Sequence, residues 1–215
     1  MSTKLLLCLC ICIATTFNTV ANASLTDKAT GISFAAKLRG KDDAQHNVLF
    51  GVGVRKKGPI KVYAVGLYCS EALKEKLPEI SRAADKGKQA IAALREGVKE
   101  HPTTFLLEMN FKVGAEKMAN AIAESVSPRY SGNAKDVDAL KGLIHKGVAP
   151  MGAVKKGNKL QFDCSEEGIA VAVDGKEQGA VPSGLLAAAF CDVYLDGDSV
   201  SPTLLDCCVE HCCAP

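Results

Sequence analysis

The stretch Gly51-Val-Gly-Val-Arg-Lys-Lys-Gly-Pro-Ile-Lys-Val-Tyr-Ala-Val-Gly-Leu-Tyr68 predicts two β-strands joined by a Gly-Pro turn. Arg55 stands at the end of an otherwise apolar, glycine-rich run in the first of these strands. An unpaired buried charge costs several kcal/mol, so this guanidinium either reaches water or binds an anion. The partner of Arg55 therefore decides much of what the protein does.

Strand alternation predicts the surroundings of that arginine. One face of the first strand should carry Leu49, Gly51, Gly53 and Arg55. The two glycines would leave a gap beside the guanidinium. A three-residue loop, Lys57-Gly58-Pro59, would set Arg55 opposite Lys61 and place Tyr63 diagonally beside Arg55, whereas a loop of even length would place Tyr68 there. Three-residue hairpin loops are common, and we favour Tyr63.

Length and charge limit the function classes. A chain of 215 residues fits one domain with a sizeable core. The formal net charge is +2, and no basic stripe is interleaved with aromatic residues, so no nucleic-acid partner is expected. The histidines lack the spacing of a catalytic triad or a metal site, and neither a metal nor a cofactor is expected.

Residues 1–23 have the pattern of a secretory signal peptide. Lys4 precedes an apolar run, and Ala21-Asn22-Ala23 offers a cleavage site. The run is too short for a comfortable membrane span, and no second one follows, so we expect no stable membrane insertion. The predicted location is the secretory pathway, secreted or lumenal, with a signal anchor or a plastid-targeting signal as alternatives.

The cysteines fit an oxidising compartment. Seven of the ten lie beyond the signal: Cys69, Cys164, Cys191, Cys207, Cys208, Cys212 and Cys213. Some of them are expected to form disulfides. For residues 207–215 the preferred interpretation is a disulfide-bonded or disordered thiol tail. A metal site is the alternative, although zinc ligands usually come from two separated knuckles.

The remaining pattern predicts an α+β fold. Strands are expected over residues 31–36, 103–112 (with Phe105, Leu107, Met109 and Phe111 inward) and, as two or three, 158–181; helices are expected from Ser70, over 79–98, from Gly114, over 136–146, from Ser183, and after Pro202. Strands and helices in this order predict a large antiparallel sheet with helices on one face.

Three segments together resemble the chalcone isomerase domain. They are the stretch quoted above, Thr30-Gly-Ile-Ser-Phe34, and Ser183-Gly-Leu-Leu-Ala-Ala-Ala-Phe-Cys-Asp-Val-Tyr-Leu-Asp-Gly-Asp-Ser-Val-Ser-Pro202. The resemblance extends over about residues 28–206, which places the domain at 24–206. It implies an open-faced β-sandwich with a cleft between sheet and helices. Its members are chalcone–flavanone isomerases, fatty-acid-binding proteins, or non-catalytic helpers of other enzymes.

The resemblance, followed residue by residue, favours the binding proteins. Arg55 matches the arginine that holds the anion in both the isomerases and the fatty-acid binders. Tyr63 stands where the isomerases carry threonine and the fatty-acid binders carry tyrosine. Gly114 stands where the isomerases have a tyrosine. Ala121 replaces an asparagine, although Asn120 is adjacent. Lys117 matches a lysine that the isomerases carry on the same helix as their tyrosine. Ser183 matches a Ser or Thr that they carry on a later helix.

We therefore expect a fatty acid or similar apolar carboxylate to be bound without catalysis. The expected ligand contacts are Arg55, Tyr63, Leu49, Val65, Leu67, Lys117 and Ser183. The first alternative is a chalcone isomerase, an intramolecular lyase using Arg55, Tyr63, Lys117 and Ser183. The second is a helper that binds a partner enzyme. Four structural alternatives accompany these roles: Arg55 meeting Glu108 across the sheet, Tyr63 serving only as an edge or core tyrosine, Lys117 solvated, and Ser183 acting only as a helix cap.

Overall fold

A computed structural model describes residues 24–39, 46–80 and 86–212 of the chain. The expected signal, residues 1–23, and Cys213 lie outside these ranges. The strands are β1 (Leu25–Thr26), β2 (Ser33–Phe34), β3 (Lys37–Arg39), β4 (His46–Lys57), β5 (Ile60–Cys69), β6 (Thr103–Met109), β7 (Val113–Gly114), β8 (Ala153–Val154), β9 (Lys159–Ser165), β10 (Gly168–Val173) and β11 (Lys176–Val181). The helices are α1 (Glu71–Ile80), α2 (Lys86–Glu100), α3 (Ala115–Val126), α4 (Ala134–Val148), α5 (Gly184–Leu195) and α6 (Pro202–Cys212), with 3-10 turns at Ser127–Arg129 and Ala149–Met151.

One antiparallel sheet of seven strands organises the molecule, in the order β11-β10-β9-β6-β5-β4-β3. Its pairings are all antiparallel. The main core lies between one face of this sheet and the helices. A smaller apolar cluster on the other face joins β4 and β5 to the N-terminal segment around Phe34. The predicted α+β arrangement, a large antiparallel sheet with helices layered on it, is confirmed.

Helix α5 is apolar over most of its surface, apart from Asp192, and contributes eight buried residues to the core. Its Phe190 ring lies 4.5 Å from that of Phe162, and its Tyr194 ring stacks on Phe105 at 4.8 Å between centroids. Ser183 caps this helix by accepting a hydrogen bond from the Leu186 amide at 3.2 Å. The expected helix start is therefore present where the sequence placed it.

The β4–β5 hairpin differs from the predicted register. Lys57 pairs with Ile60, so the loop has two residues, and Gly58 adopts φ +57°, which glycine tolerates. A β-bulge between Arg55 and Lys56 then restores the parity that the shorter loop removes, and Arg55 lies directly opposite Tyr63. The predicted three-residue loop is wrong, yet Tyr63 is the tyrosine on the Arg55 face.

A second bulge, at Phe50, changes the face on which Leu49 lies. Leu49 lies opposite Tyr68 and Gly51 lies opposite Leu67, so the strand register passes over Phe50. As a result Leu49 belongs to the smaller cluster on the far face of the sheet. The expectation that Leu49 shares a face with Arg55 is wrong, because an extra residue reverses the alternation.

Helix α6 occupies the space that the two glycines of β4 leave. A Cβ added at Gly53 would lie 2.4 Å from the Leu204 backbone nitrogen, and one at Gly51 would lie 2.7 Å from the Cys208 sulfur. The predicted gap beside Arg55 is therefore not a ligand space. The glycines are needed because they let a helix approach the strand backbone closely.

The same helix covers the part of the β4 edge that β3 leaves unpaired. The Val52 amide donates to Cys207 Sγ at 3.3 Å, and the Val54 amide donates to Thr203 Oγ1 at 3.0 Å. Ser201 Oγ donates to the Val54 carbonyl at 3.1 Å. Side chains of this segment thus form hydrogen bonds with backbone groups that would otherwise be free to pair with a strand of another chain.

The cysteine-rich end and the other cysteines differ from the expectation. Residues 207–212 continue α6, so this part is helical and not a separate tail. Cys69, Cys164, Cys191 and Cys207 are free thiols, and the expected disulfides are not seen at these four positions. Within residues 24–39, 46–80 and 86–212, no group of His, Cys, Asp and Glu side chains is arranged to hold a metal ion. No helix in these ranges is long and apolar enough to cross a membrane.

Candidate functional site

A cavity of about 780 Å³ opens between the end of the β4–β5 hairpin and helix α3. The turn after β6 and the turn before β8 complete its walls. The apolar part of the lining comes from Ile60, Val62, Phe111, Val113, Met118, Ala121, Ile122, Met151 and Ala153. Charged side chains lie at the cavity as well, and Arg55 and Tyr63 line its sheet side.

Arg55 is held at this cavity by uncharged partners. Its Nη1 donates to the Tyr63 hydroxyl at 3.4 Å and to Ser125 Oγ at 3.2 Å, and its guanidinium carbon lies 6.0 Å from the centre of the Tyr63 ring. Within the described ranges no Asp or Glu forms an ion pair with it. The guanidinium is therefore half-buried, oriented, and without a neutralising carboxylate in this part of the chain.

The alternative in which Arg55 meets Glu108 is wrong. Glu108 pairs with Ala64 in the sheet, so its side chain lies on the face opposite to that of Arg55 and Tyr63. It lies 3.5 Å from Lys159 Nζ instead. The alternation that places Tyr63 on the same face as Arg55 also places Glu108 on the opposite face.

Hydroxyl groups continue the hydrogen-bond chain into the core. The Tyr63 hydroxyl lies 2.9 Å from that of Tyr194, which is fully buried. Ser125 donates its own proton to the Ala121 carbonyl at 2.7 Å, which leaves its oxygen free to accept from Arg55. The guanidinium is thus fixed by two acceptors, one on the sheet and one on α3.

The pKa shifts agree with this arrangement. Burial works to lower the pKa of Arg55, but the neighbouring Tyr63, together with Tyr194 and Glu124, raises it above its ordinary value. Burial, with a smaller contribution from Tyr63, raises the pKa of Tyr194 well above its ordinary value. The site therefore combines a guanidinium that stays charged with a buried Tyr194 phenol that stays neutral at any physiological pH.

The charges around the cavity are strongly one-sided. Besides Arg55, its lining includes five lysines: Lys56, Lys57, Lys112, Lys117 and Lys155. Glu124 is the one carboxylate among the lining residues that the structure describes. A cavity with this balance attracts anions and lowers the pKa of an acid bound within it.

A family model described as chalcone isomerase-like matches residues 26–205. The chain belongs to the chalcone isomerase-like family. A solved structure of the Arabidopsis thaliana fatty-acid binding protein AtFAP1 is similar at a TM-score of 0.68 and 22% identity, covering 88% of this chain and 97% of that chain. That similarity shows a shared chalcone isomerase-like fold. No curated protein matches the chain.

Besides Arg55 and Tyr63, three residues singled out by the chalcone isomerase-like resemblance line the cavity, namely Gly114, Lys117 and Ala121. Lys117 is an exposed lining residue on the first turn of α3. Gly114, the N-cap of α3, also lines the cavity, and a Cβ added there would meet only the Gly152 carbonyl at 4.0 Å. The position is therefore open, and in this chalcone isomerase-like chain it carries no hydroxyl.

Four other predicted contacts lie elsewhere. Val65 and Leu67 are buried in the main core, and Leu49 faces the far side of the sheet. Ser183 caps α5, and its hydroxyl lies 3.2 Å from that of Tyr130. None of these four lines the cavity: the core covers Val65 and Leu67, the bulge at Phe50 turns Leu49 to the other face, and Ser183 lies at the start of α5.

The sequence analysis did not identify Ser125 or Tyr194 as site residues, although the helical spacing of each could have indicated it. Ser125 follows Met118 and Ile122 at the i, i+4, i+7 spacing of the face of α3 that meets the cavity. Tyr194 continues the buried stripe of α5 one turn beyond Phe190. A polar group on such a stripe must find a partner, which is a reason to look for one.

Proposed function

We propose that this protein binds a fatty acid or a similar apolar carboxylate and does not catalyse a reaction on it. The carboxylate would meet Arg55 and Tyr63, and the acyl chain would lie among the apolar side chains of α3 and the hairpin. The observation that carries the proposal is the Arg55 guanidinium, oriented by Tyr63 and Ser125 without an acidic partner in the described part of the chain.

The size and lining of the cavity support an acyl ligand. A volume of about 780 Å³ lies within the range of about 300–1,000 Å³ typical of small-molecule sites. Apolar walls with a few converging polar groups are the usual composition of such sites. The similarity to AtFAP1, a fatty-acid binding protein of the same fold, adds independent support.

The residues at the cavity argue against chalcone cyclisation. That reaction needs a polarised ketone and a group that stabilises the developing charge. Gly114 offers neither a hydroxyl nor a proton at the position where the resemblance expects a tyrosine. A bulky phenol, Tyr63, replaces the strand threonine. We expect no turnover of chalcone above the uncatalysed rate.

The decisive experiment compares the affinity for a fatty acid with the affinity for its methyl ester. We expect the wild type to bind palmitate more tightly than methyl palmitate, because only the acid can pair with Arg55. Arg55→Gln removes a charge-assisted pair worth about 1.5–3 kcal/mol, so palmitate affinity should fall about ten- to a hundredfold while the ester is little affected. Calorimetric titration or native mass spectrometry of the wild type and of Arg55→Gln, each with palmitate and with methyl palmitate, gives the four affinities to compare.

A matched control separates this pair from general electrostatics. Lys135→Gln removes one positive charge from α4, where the side chain is exposed and away from the cavity. It should bind palmitate like the wild type. Equal affinity of the wild type for acid and ester would contradict the proposal, as would stereospecific cyclisation of a chalcone.

A further inference from the structure

The rim of the cavity carries most of the exposed large apolar side chains. In the described part of the chain four such side chains are exposed, and three of them line this cavity: Ile60 at 40%, Phe111 at 48% and Met151 at 39%. The sequence pattern placed Phe111 inward, but β6 ends at Met109 and Phe111 stands on the following turn. The fourth, Leu185 at 66%, lies on α5.

These three residues come from three different turns that meet at one mouth. Ile60 opens β5, Phe111 lies between β6 and β7, and Met151 ends a 3-10 turn. Apolar side chains projecting separately from turns do not form one helix or strand face for a rigid partner. They fit a fluid apolar layer into which each can insert independently.

The charged side chains at the rim are almost all positive, which suits a negatively charged surface. All five lysines at the cavity are exposed, and Glu124 is the one acid among the described lining residues. Near a negatively charged leaflet each lysine strengthens binding by about fivefold. Apolar side chains surrounded by lysines are the usual composition of a surface that rests on an anionic membrane.

We propose that this rim docks on an anionic lipid bilayer, with the mouth of the cavity facing the membrane. Phe111, Met151 and Ile60 insert at the headgroup level, and the lysines lie against the lipid phosphates and carboxylates. An acyl chain could then pass between bilayer and cavity without crossing water. Docking itself does not depend on a bound fatty acid, so it can be tested apart from the proposed function.

The test is vesicle co-sedimentation of the ligand-free protein. We expect binding to phosphatidylcholine vesicles that contain about 30 mol% phosphatidylserine and at least about tenfold weaker binding to phosphatidylcholine alone. Raising the salt concentration should release the protein from the anionic vesicles, since the lysine contribution is screened.

Two paired variants separate insertion from charge. Phe111→Ser with Met151→Ser, and Lys112→Glu with Lys155→Glu, should each weaken binding to the anionic vesicles by about tenfold or more. The matched controls are Leu185→Ser and Lys135→Glu with Lys176→Glu, exposed positions away from the cavity, which should bind like the wild type. Thermal unfolding of each variant establishes that it folds.

Four results would overturn docking, three of them in the vesicle experiments. The first is no sedimentation with anionic vesicles, the second is equal binding to both vesicle types, and the third is an equal effect of rim and control variants. Capture of the protein by immobilised polyglutamate without vesicle binding would assign the lysines to an acidic protein partner and also overturn it. Palmitate affinity measured in vesicle-free buffer reports on the proposed function separately.

Discussion

At the residue scale, Arg55 differs from other arginines of the chain in its partners. Arg95 forms two hydrogen bonds with the Asp192 carboxylate at 2.5 and 2.7 Å, and Arg129 forms two with Asp196 at 2.7 and 3.0 Å. Those guanidiniums are neutralised and serve to join elements of the fold. Among the described residues Arg55 has only hydroxyl acceptors, so its charge is available to a ligand.

The hydroxyl pair behind Arg55 gives the first stability prediction. Tyr63→Phe leaves the buried Tyr194 hydroxyl without its partner, which should lower the free energy of unfolding by about 1–3 kcal/mol. Removing both hydroxyls should cost less than the sum of the two single changes, because neither buried hydroxyl is then left without the other. Urea unfolding of the wild type, Tyr63→Phe, Tyr194→Phe and the double variant measures the difference. Strict additivity would show that the hydroxyls do not interact.

At the element scale, the contact between α6 and β4 explains why this strand has glycine at alternate positions. Gly51 and Gly53 face the helix, and between and beside them Val52 and Val54 donate their amides to its side chains. The helix therefore contacts the strand by close packing and by hydrogen bonds at once. Neither contact tolerates a larger separation, since hydrogen bonds weaken steeply beyond their normal lengths.

Gly53→Ala tests this packing directly. The new methyl group would overlap the Leu204 backbone, which cannot move without displacing α6, so we expect the free energy of unfolding to fall by about 1–3 kcal/mol or more. The matched control is Gly142→Ala in α4, where an added Cβ meets nothing within 4 Å. That change should stabilise the protein by about 0.5–1 kcal/mol. Denaturant unfolding of both variants gives the comparison, and a neutral Gly53→Ala would contradict the close approach.

The same contact marks the limit of what the sequence predicts. Alternation and turn residues locate the strands of the sheet, and the residues around Arg55 and Tyr63 predict the pair at the site. The bulge at Phe50 and the one between Arg55 and Lys56 have no distinct sequence signal, and each reverses the faces beyond it. The role of the glycines depends on a helix 149 residues further along, as the Val54–Thr203 hydrogen bond shows, which local patterns cannot reveal.

At the scale of the whole molecule, buried thiols report on global unfolding. Cys69, Cys164 and Cys191 lie in β5, β9 and α5, all inside the main core. Burial raises the pKa of Cys69 to about 11, and burial together with Cys191 raises that of Cys164 well above its ordinary value. Because the unfolded thiol ionises near 9.0, this contribution of Cys69 to stability is complete below that pH and is lost as pH rises to about 11.

Thiol labelling therefore offers a test that needs no substitution. With iodoacetamide at about pH 8, these three cysteines should react only as the molecule unfolds, whereas the half-buried Cys207 should react first. Palmitate at about a hundred times its dissociation constant should slow labelling of the three by about a hundredfold. Peptide mass spectrometry resolves the sites. Fast labelling of the three, independent of stability, would mean that the core opens locally.

The position of α6 along the chain has a consequence for protein synthesis. Ribosomes add about 5–20 residues per second, so β4 emerges roughly 7–30 s before the helix that covers its edge. During that interval the amides of Val52 and Val54 have no helix to bond, and the nascent sheet exposes an edge to other chains. We expect a nascent chain stalled before residue 202 to recruit holding chaperones, and a chain extended through α6 to be released by them.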